Sequence, residues 1–307
     1  MSKAYPRVAV LISTYNGERF LKEQIESVLA QKEIELNVFV RDDGSSDDTI
    51  NILGSYRDKI TFFQESNVGV GNSFMDVLYK AGKDFDFYAF CDQDDIWKED
   101  KLKRAVSLIE KKDIPLLYCS NQELIDSNAN SLGLRYNNII DTSFRQILNN
   151  NRVTGCTMVW NKKLNDIIAD DKRKASKGLL KKRIHDVWVA MVASCVGEIV
   201  YDNESYIYYR QHENNVVGSK GSSSLEEYKK KLSNKDLRNG RSELAKEMIE
   251  KYSDLFIDEV VNEYLTLFAN YRNDAKVKSA IKKREDICSY SGESLISFKM
   301  KVIFNLV

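Results

Sequence analysis

Three carboxylates fall within four positions of this sequence: Asp92, Asp94 and Asp95, in Phe90-Cys91-Asp92-Gln93-Asp94-Asp95-Ile96-Trp97, directly after the apolar run at 85–91. Like charges this close repel, so such a cluster stays ionised only beside a cation or open to solvent. Ligands that are all oxygen suit a hard divalent ion such as Mg²⁺ or Mn²⁺, which usually also holds a phosphate. The alternative is a solvated turn that caps a helix starting near Lys98. Placement at the end of a buried strand favours the cation.

Two more polar runs close apolar segments. In Ser13-Thr14-Tyr15-Asn16, Ser13 and Tyr15 offer a hydroxyl and an aromatic face, suited to hydrogen bonding and to stacking on a nucleobase. In Asp42-Asp43-Gly44-Ser45-Ser46-Asp47-Asp48, Asp43 supplies the acceptor that a pyrimidine ring N–H would need. The run Asn67-Val68-Gly69-Val70-Gly71-Asn72 puts glycines at a helix start, where backbone amides favour phosphate oxygens. The plain alternatives are a turn plus helix cap at 42–48 and glycines that merely permit positive φ.

An alternation of strands and helices must position these runs. Residues 8–13 read as a strand buried on both faces, followed by a helix with Phe20, Leu21, Ile25, Val28 and Leu29 at helical spacing. Strands are expected at 36–40, 60–63 and 87–91, and helices through Ile50 and Leu53 (with Ser46 or Asp47 as N-cap) and over 72–82. Such alternation predicts a parallel, doubly wound α/β sheet whose ligands sit at the C-terminal ends of its strands. All three polar clusters fall at such ends.

The strings Ser13-Thr14-Tyr15-Asn16-Gly17, Gln24-Ile25-x-Ser27-Val28-Leu29-x-Gln31, Arg41-Asp42-Asp43-Gly44-Ser45-Ser46-Asp47-Asp48-Thr49 and Asp92-Gln93-Asp94-Asp95-Ile96-Trp97 together resemble a family-two glycosyltransferase with the GT-A fold. The resemblance covers about residues 5–218. It implies a nucleotide-diphospho-sugar donor held by Ser13, Tyr15, Asn16, Asp43 and Asn67, with Asp92 on the ribose side and sharing the ion, and Asp94 on a Mg or Mn cation. Many relatives carry Ala-Arg-Asn after the Asn-x-Gly loop; Gly71-Asn72-Ser73-Phe74 stands here instead, so no arginine meets the nucleotide at that place.

In the second half, Val153-Thr154-Gly155-Cys156-Thr157 interrupts an apolar segment and reads as a strand bulge or a close backbone approach to ligand. The resemblance favours the latter, with Gly155 as a floor beneath the donor sugar. Ile184-His185-Asp186-Val187-Trp188 opens an apolar helix, where an acidic residue in the first turn also complements the helix dipole. In the family this acidic residue is the general base, which makes Asp186 the catalytic candidate. In Tyr208-Tyr209-Arg210-Gln211-His212, similar to rhamnosyltransferase-like members, His212 is a candidate metal ligand and Arg210 a candidate diphosphate partner. Asp95, Trp97, His185 and Trp188 are candidates for the acceptor side.

The resemblance implies a catalytic domain over residues 1–218, with a nucleotide-sugar half (1–112) and an acceptor and base half (113–218); composition sets its end. Residues 219–224 are a Ser/Gly/Lys linker, and 225–307 a charged helical region with an amphipathic stripe at Leu244, Met248, Tyr252, Leu255 and Phe256. The basic run 276–284 is a solvated helix face or an attachment to an anionic membrane, and 298–304 docks on the core or on lipid. Lysine plus arginine and aspartate plus glutamate both number 46, so no global field points to nucleic acid. Five dispersed cysteines without C-x-x-C spacing indicate reduced thiols rather than a disulfide or zinc framework. With no signal peptide and no long apolar run, a cytoplasmic protein is expected, with peripheral contact at the inner membrane face as the alternative.

The resemblance implies inverting transfer to a glycan or lipid-linked acceptor in bacterial surface polysaccharide synthesis. Family members that elongate long homopolymers carry Gln-x-x-Arg-Trp. No tryptophan here follows an arginine, so a nonprocessive enzyme is expected. The acidic and Tyr-Arg-Gln-His variants make dTDP-L-rhamnose the leading donor, with UDP-galactose, UDP-glucose and N-acetylhexosamine donors open. A catalytically inactive nucleotide-sugar scaffold is the alternative class, and a homodimer an open partner state. A dinucleotide oxidoreductase is disfavoured because no G-x-G-x-x-G follows the first strand.

Overall fold

The computed structural model describes residues 5–212 and 239–307. The run 219–224, expected to be a linker, lies outside the described residues. In chain order the first elements are β1 (Arg7–Thr14), α1 (Leu21–Leu29), β2 (Glu35–Asp42), α2 (Thr49–Gly54), β3 (Thr61–Gln64), α3 (Val70–Ala81) and β4 (Phe87–Cys91). Next come β5 (Ile96–Trp97), α4 (Lys101–Ile109), β6 (Leu116–Ile125), β7 (Ser131–Leu134), α5 (Phe144–Asn150), β8 (Val159–Asn161), α6 (Lys162–Ile168), α7 (Lys177–Lys182), α8 (His185–Val196) and β9 (Glu198–Arg210). The last five are α9 (Gly240–Tyr252), α10 (Glu259–Asn270), α11 (Ala275–Ile281), α12 (Asp286–Ser291) and α13 (Leu295–Ile303).

The chain forms two compact units. One takes in the described residues of Met1–Ile140, Thr154–Ala169 and Glu198–Ser219; the other takes in those of Asp141–Val153, Asp170–Gly197 and Lys220–Val307. Every strand among the described residues belongs to the first unit, in a mixed sheet ordered β3-β2-β1-β4-β8-β6-β9-β5, with β7 paired on β6. β1 runs parallel to β2 and β4, and β2 parallel to β3, as helical crossovers between them require. Beyond β4 the sheet is mixed: β8 is antiparallel to both β4 and β6, and β5 to β9, while β6 and β9 are parallel. The expected parallel order therefore holds for β3-β2-β1-β4.

Continuous apolar runs become the sheet's centre because both faces are covered. All five residues of β4 are buried. Helix α1 covers one face with Leu21, Ile25 and Val28, and α4 with Leu102, Ala105, Val106 and Ile109, the i, i+3, i+4 stripe of an amphipathic helix. Each large side chain among them contributes about 2 kcal/mol by leaving water. This packing fixes the register. Thr14 lies opposite Asp42 and Ile12 opposite Cys91, so the polar residues that follow each strand emerge along one edge.

The second unit is helical. α8 buries nearly its whole circumference, including Trp188 and the run Val189–Ala193, as expected of a helix apolar all round. Tyr252 of α9 meets the Trp188 ring edge-on with centroids 5.6 Å apart. Asn149 of α5 donates to the hydroxyl of Tyr264 on α10 at 2.9 Å, and Lys182 pairs with Glu243 at 2.7 Å. Segments 141–153 and 170–197, grouped with the catalytic half by sequence, thus pack with the C-terminal helices, because the apolar helix needs cover that those helices supply. No described helix is long and apolar enough to cross a membrane.

Candidate active site

The ends of β1 and β4 are stitched by one side chain. Gln93 Oε1 accepts from Thr14 Oγ1 at 2.7 Å and from Tyr15 N at 2.9 Å. Gly17 is needed beside it, since a Cβ there would lie 2.5 Å from that same oxygen. Tyr15 is left 49 % exposed, its ring free to receive a flat partner. Asn16, in the left-handed region at φ 48°, accepts from Ser46 N at 2.9 Å and so ties this loop to the one after β2. Ser13 donates to Ser73 of α3 at 2.6 Å.

The run after β2 is satisfied from within. Asp42 accepts from Gly44 N, Ser45 N and the Ser45 hydroxyl, closing the turn that Gly44 permits at φ 82°. Asp43 accepts from Val68 N at 2.8 Å, Gly69 N at 3.0 Å and Arg41 Nη1 at 2.5 Å. A carboxylate offers about four acceptor sites, so Asp43 keeps one for a ligand N–H. Arg41, 2 % exposed, also reaches Asp76, Ser73 and the Ser66 carbonyl. Asn67 stands exposed in the same loop. The N-cap of α2 is Asp48, where Ser46 or Asp47 was expected; Asp47, one residue earlier, accepts from Thr49 N.

The run after β4 is built differently. Asp94 Oδ2 and His212 Nε2 stand 2.8 Å apart, both side chains partly open to solvent. Asp92, Asp95 and Cys156 each present a ligand atom within 4.8 Å of the others. Asp95 is 1 % exposed; its Oδ1 accepts from Arg210 N at 3.0 Å, and the Cys156 thiol lies against the same carboxyl. Burial pushes the Asp95 carboxyl well above the ordinary carboxylate range, and the charges of Asp94 and Asp92 push it further. Gly155 begins a buried 3₁₀ turn, Gly155–Thr157, that carries Cys156 into this cluster. The interruption is thus a helical turn rather than a strand bulge.

Two expectations change here. Arg210 is 2 % exposed and directs its guanidinium to the Asp94 carbonyl at 2.9 Å, the Ser127 carbonyl at 3.2 Å and Glu23 at 2.5 Å. It fastens the acidic loop, where a diphosphate partner was expected. Trp97 is 3 % exposed, packed in the core with Lys101 Nζ 3.7 Å above its ring, so it presents no acceptor surface. Asp95, expected either to support the loop or to meet the acceptor, is buried and accepts from Arg210 N, as a loop support would. Ser27 accepts from Trp97 N at 3.0 Å, and Gln31 bridges the Lys98 carbonyl and Leu102 N at 2.8 and 2.9 Å. That bridging explains the Gln-x-x-Ser-x-x-x-Gln spacing on α1.

In the second unit Asp186 sits half-buried in the first turn of α8, its Oδ1 accepting from Val187 N at 2.6 Å. His185 is 3 % exposed, and burial lowers its imidazole to about 3, which keeps it neutral. Trp188 is fully buried. Helical spacing turns both inward, so neither offers the acceptor surface expected of it.

Residues 9–168, more than half of the chain, match the family model described as Glycosyl transferase family 2. The chain belongs to that family. It is 29 % identical over 227 residues to the dTDP-rhamnosyl transferase RfbG of Shigella flexneri, covering 68 % of this chain and 74 % of that protein. It is 31 % identical over 125 residues to the UDP-Glc:alpha-D-GlcNAc-diphosphoundecaprenol beta-1,3-glucosyltransferase WfgD of Escherichia coli, covering 40 % and 48 %. Among solved structures, residues 1–349 of S. aureus TarS in complex with UDP-GlcNAc superpose with a TM-score of 0.56 at 18 % identity, over 98 % of this chain and 82 % of that one. That likeness gives the glycosyltransferase the GT-A fold.

As a family-two glycosyltransferase it carries a donor set that fits a divalent cation. Cis ligands on a Mg²⁺-sized ion lie about 3 Å apart, close to the Asp94–His212 separation of 2.8 Å. Asp95, Asp92 and Cys156 together are a second group whose ligand atoms lie close enough to share a cation. Sequence reading missed three residues of this transferase's site. Gln93 was hidden as the neutral member of an acidic run, and Cys156 looked like a core thiol. Lys101 is fully buried at the start of α4, where a cation is disfavoured by both burial and the helix dipole; only its position seven residues after Asp94 hinted at a counter-charge.

Proposed function

We propose that this glycosyltransferase transfers one sugar at a time, with inversion, from a nucleotide diphosphate to a glycan or lipid-linked acceptor in bacterial surface polysaccharide synthesis. The observation that carries this reading is the convergence of the β1, β2 and β4 ends, with Asp94 and His212 turned toward each other beside an exposed Tyr15. Tyr15 stacks on the base, the remaining acceptor site of Asp43 takes the ring N–H, and Ser13, Asn16 and Asn67 line the nucleotide. Asp92 contacts the ribose and Gly155 floors the donor sugar. Asp94 and His212, with Asp92, would hold Mg²⁺ or Mn²⁺, which when bound neutralises the charge of the departing diphosphate.

Asp186 takes the proton of the acceptor hydroxyl as the new C–O bond forms at the anomeric carbon and the bond to the diphosphate oxygen breaks. Its place in the first turn of α8 sets the carboxylate at the positive end of the helix dipole. Replacing Asp186 by Asn should lower turnover about a thousandfold with donor affinity kept; full activity would remove the base from Asp186.

L-Rhamnose from dTDP-L-rhamnose is the donor favoured by similarity to RfbG over two thirds of the chain. A UDP-hexose donor is the second reading, favoured by similarity to WfgD over 40 % of it. Thermal-shift titration of dTDP against UDP separates them: stabilisation by dTDP at lower concentration supports the first, the reverse order the second. Nucleotide release that requires acceptor, followed with and without EDTA, tests transfer itself. Nucleotide binding without turnover would instead support an inactive scaffold.

A further inference from the structure

Helix α13 divides its side chains between two surroundings. Phe298 and Val302 are fully buried, while Ile296, Met300, Ile303 and Phe304 are 77, 40, 47 and 57 % exposed. Steps of four, three and one along a helix put those four on one face, opposite the two buried residues. Twelve large apolar side chains are exposed among the described residues, and a third of them fall within these nine positions. A concentration of that kind marks a contact surface rather than ordinary scatter.

The charge around it has one sign. Residues 275–304 hold seven lysines and arginines against three acids, in a chain whose charges balance overall. Glu293 is taken by Arg241 and Lys301, and Asp286 by Arg284. Lys276, Lys283 and Lys299 are left exposed. The basic helix α11 is held against the end of the apolar stripe, since Lys278 donates to the Ile303 carbonyl at 3.1 Å and to Asn305 at 2.9 Å.

We propose that this face rests on an anionic membrane surface, with Ile296, Met300, Ile303 and Phe304 between headgroups and the lysines against lipid phosphates. An exposed apolar stripe flanked by lysines is what an interfacial helix needs, and the two attractions add. A second copy of this chain fits less well, because a two-fold contact would set the same basic patch against itself. The two halves of α13 thus have separate tasks: Phe298 and Val302 fix it to the second unit, and the outer face meets lipid. The proposal is independent of donor and acceptor.

Cosedimentation of the full chain with vesicles tests it, using phosphatidylcholine alone and phosphatidylcholine with phosphatidylglycerol replacing about a third of the lipid. The expected result is binding at least about tenfold stronger to the anionic vesicles, abolished by Ile303→Asp with Phe304→Asp at an unchanged melting temperature. Should that pair unfold the protein, Lys276→Gln with Lys283→Gln and Lys299→Gln, all at exposed positions, should remove the preference for anionic lipid. Equal or absent binding to both vesicles, or binding that survives these substitutions, overturns the proposal. So does a dimer in solution, measured by light scattering, that the Ile303 and Phe304 substitutions dissociate.

Discussion

The acidic runs after β2 and β4 have similar sequences and opposite internal economies of hydrogen bonding. Asp42 and Asp43 each accept three hydrogen bonds from nearby turn amides, a serine and an arginine. After β4, Asp94 faces a histidine, and Asp95 accepts from a single backbone amide, that of Arg210. The first run spends most of its acceptor capacity shaping a loop and holds little back. The second run is held in place by others, Arg210 from one side and Ser27 and Gln31 from another, and the Asp94 carboxylate meets a histidine in place of a turn amide. Acid count alone does not distinguish a turn from a cation site; the fate of the lone pairs does.

This contrast can be broken by substitution. Asp94→Asn should lower transferase turnover most, about a thousandfold, with little change in melting temperature, since its side chain braces no backbone amide in the described contacts. A small loss of activity would put the metal role elsewhere. His212→Ala should raise the Mn²⁺ concentration for half-maximal activity about tenfold or more, and an unshifted metal dependence would make it a bystander. Asp43→Asn belongs to the other class: it should cost about 2 kcal/mol of stability by loosening the 67–69 loop, whatever the metal concentration.

The smallest effect concerns Asp95. Its carboxyl binds a proton more tightly folded than unfolded, so the metal-free protein should lose stability as pH rises from about 4 toward the raised folded value. Asp95→Asn should flatten that slope and raise the metal-free melting temperature by roughly 2 °C at neutral pH. An unchanged slope would mean that Asp95 is ionised in the apo protein.

Much of this was legible in the chain. Strand β4 matches the expected 87–91, and the other three early strands match within two residues; β1 and β4 leave the clearest apolar signal because their runs are buried on both faces. The convergence of three polar runs followed from parallel order alone. Side-chain direction was not legible. Trp97, Trp188 and Arg210 sit in motif positions yet turn inward, and a motif records where a residue falls along the chain, not which way it faces. The grouping of 141–153 and 170–197 with the C-terminal helices was also invisible, since it depends on which distant surface covers α8.

Whether the β4 run seats a cation for a nucleotide diphosphate is decided by calorimetric titration of dTDP and UDP into the wild-type chain and Asp94→Asn, each with Mn²⁺ and with EDTA. Mn²⁺ should strengthen binding about tenfold or more in the wild type and leave Asp94→Asn unaffected. Equal affinity with Mn²⁺ and EDTA in the wild type, or an equal Mn²⁺ gain in both proteins, would contradict the cation seat.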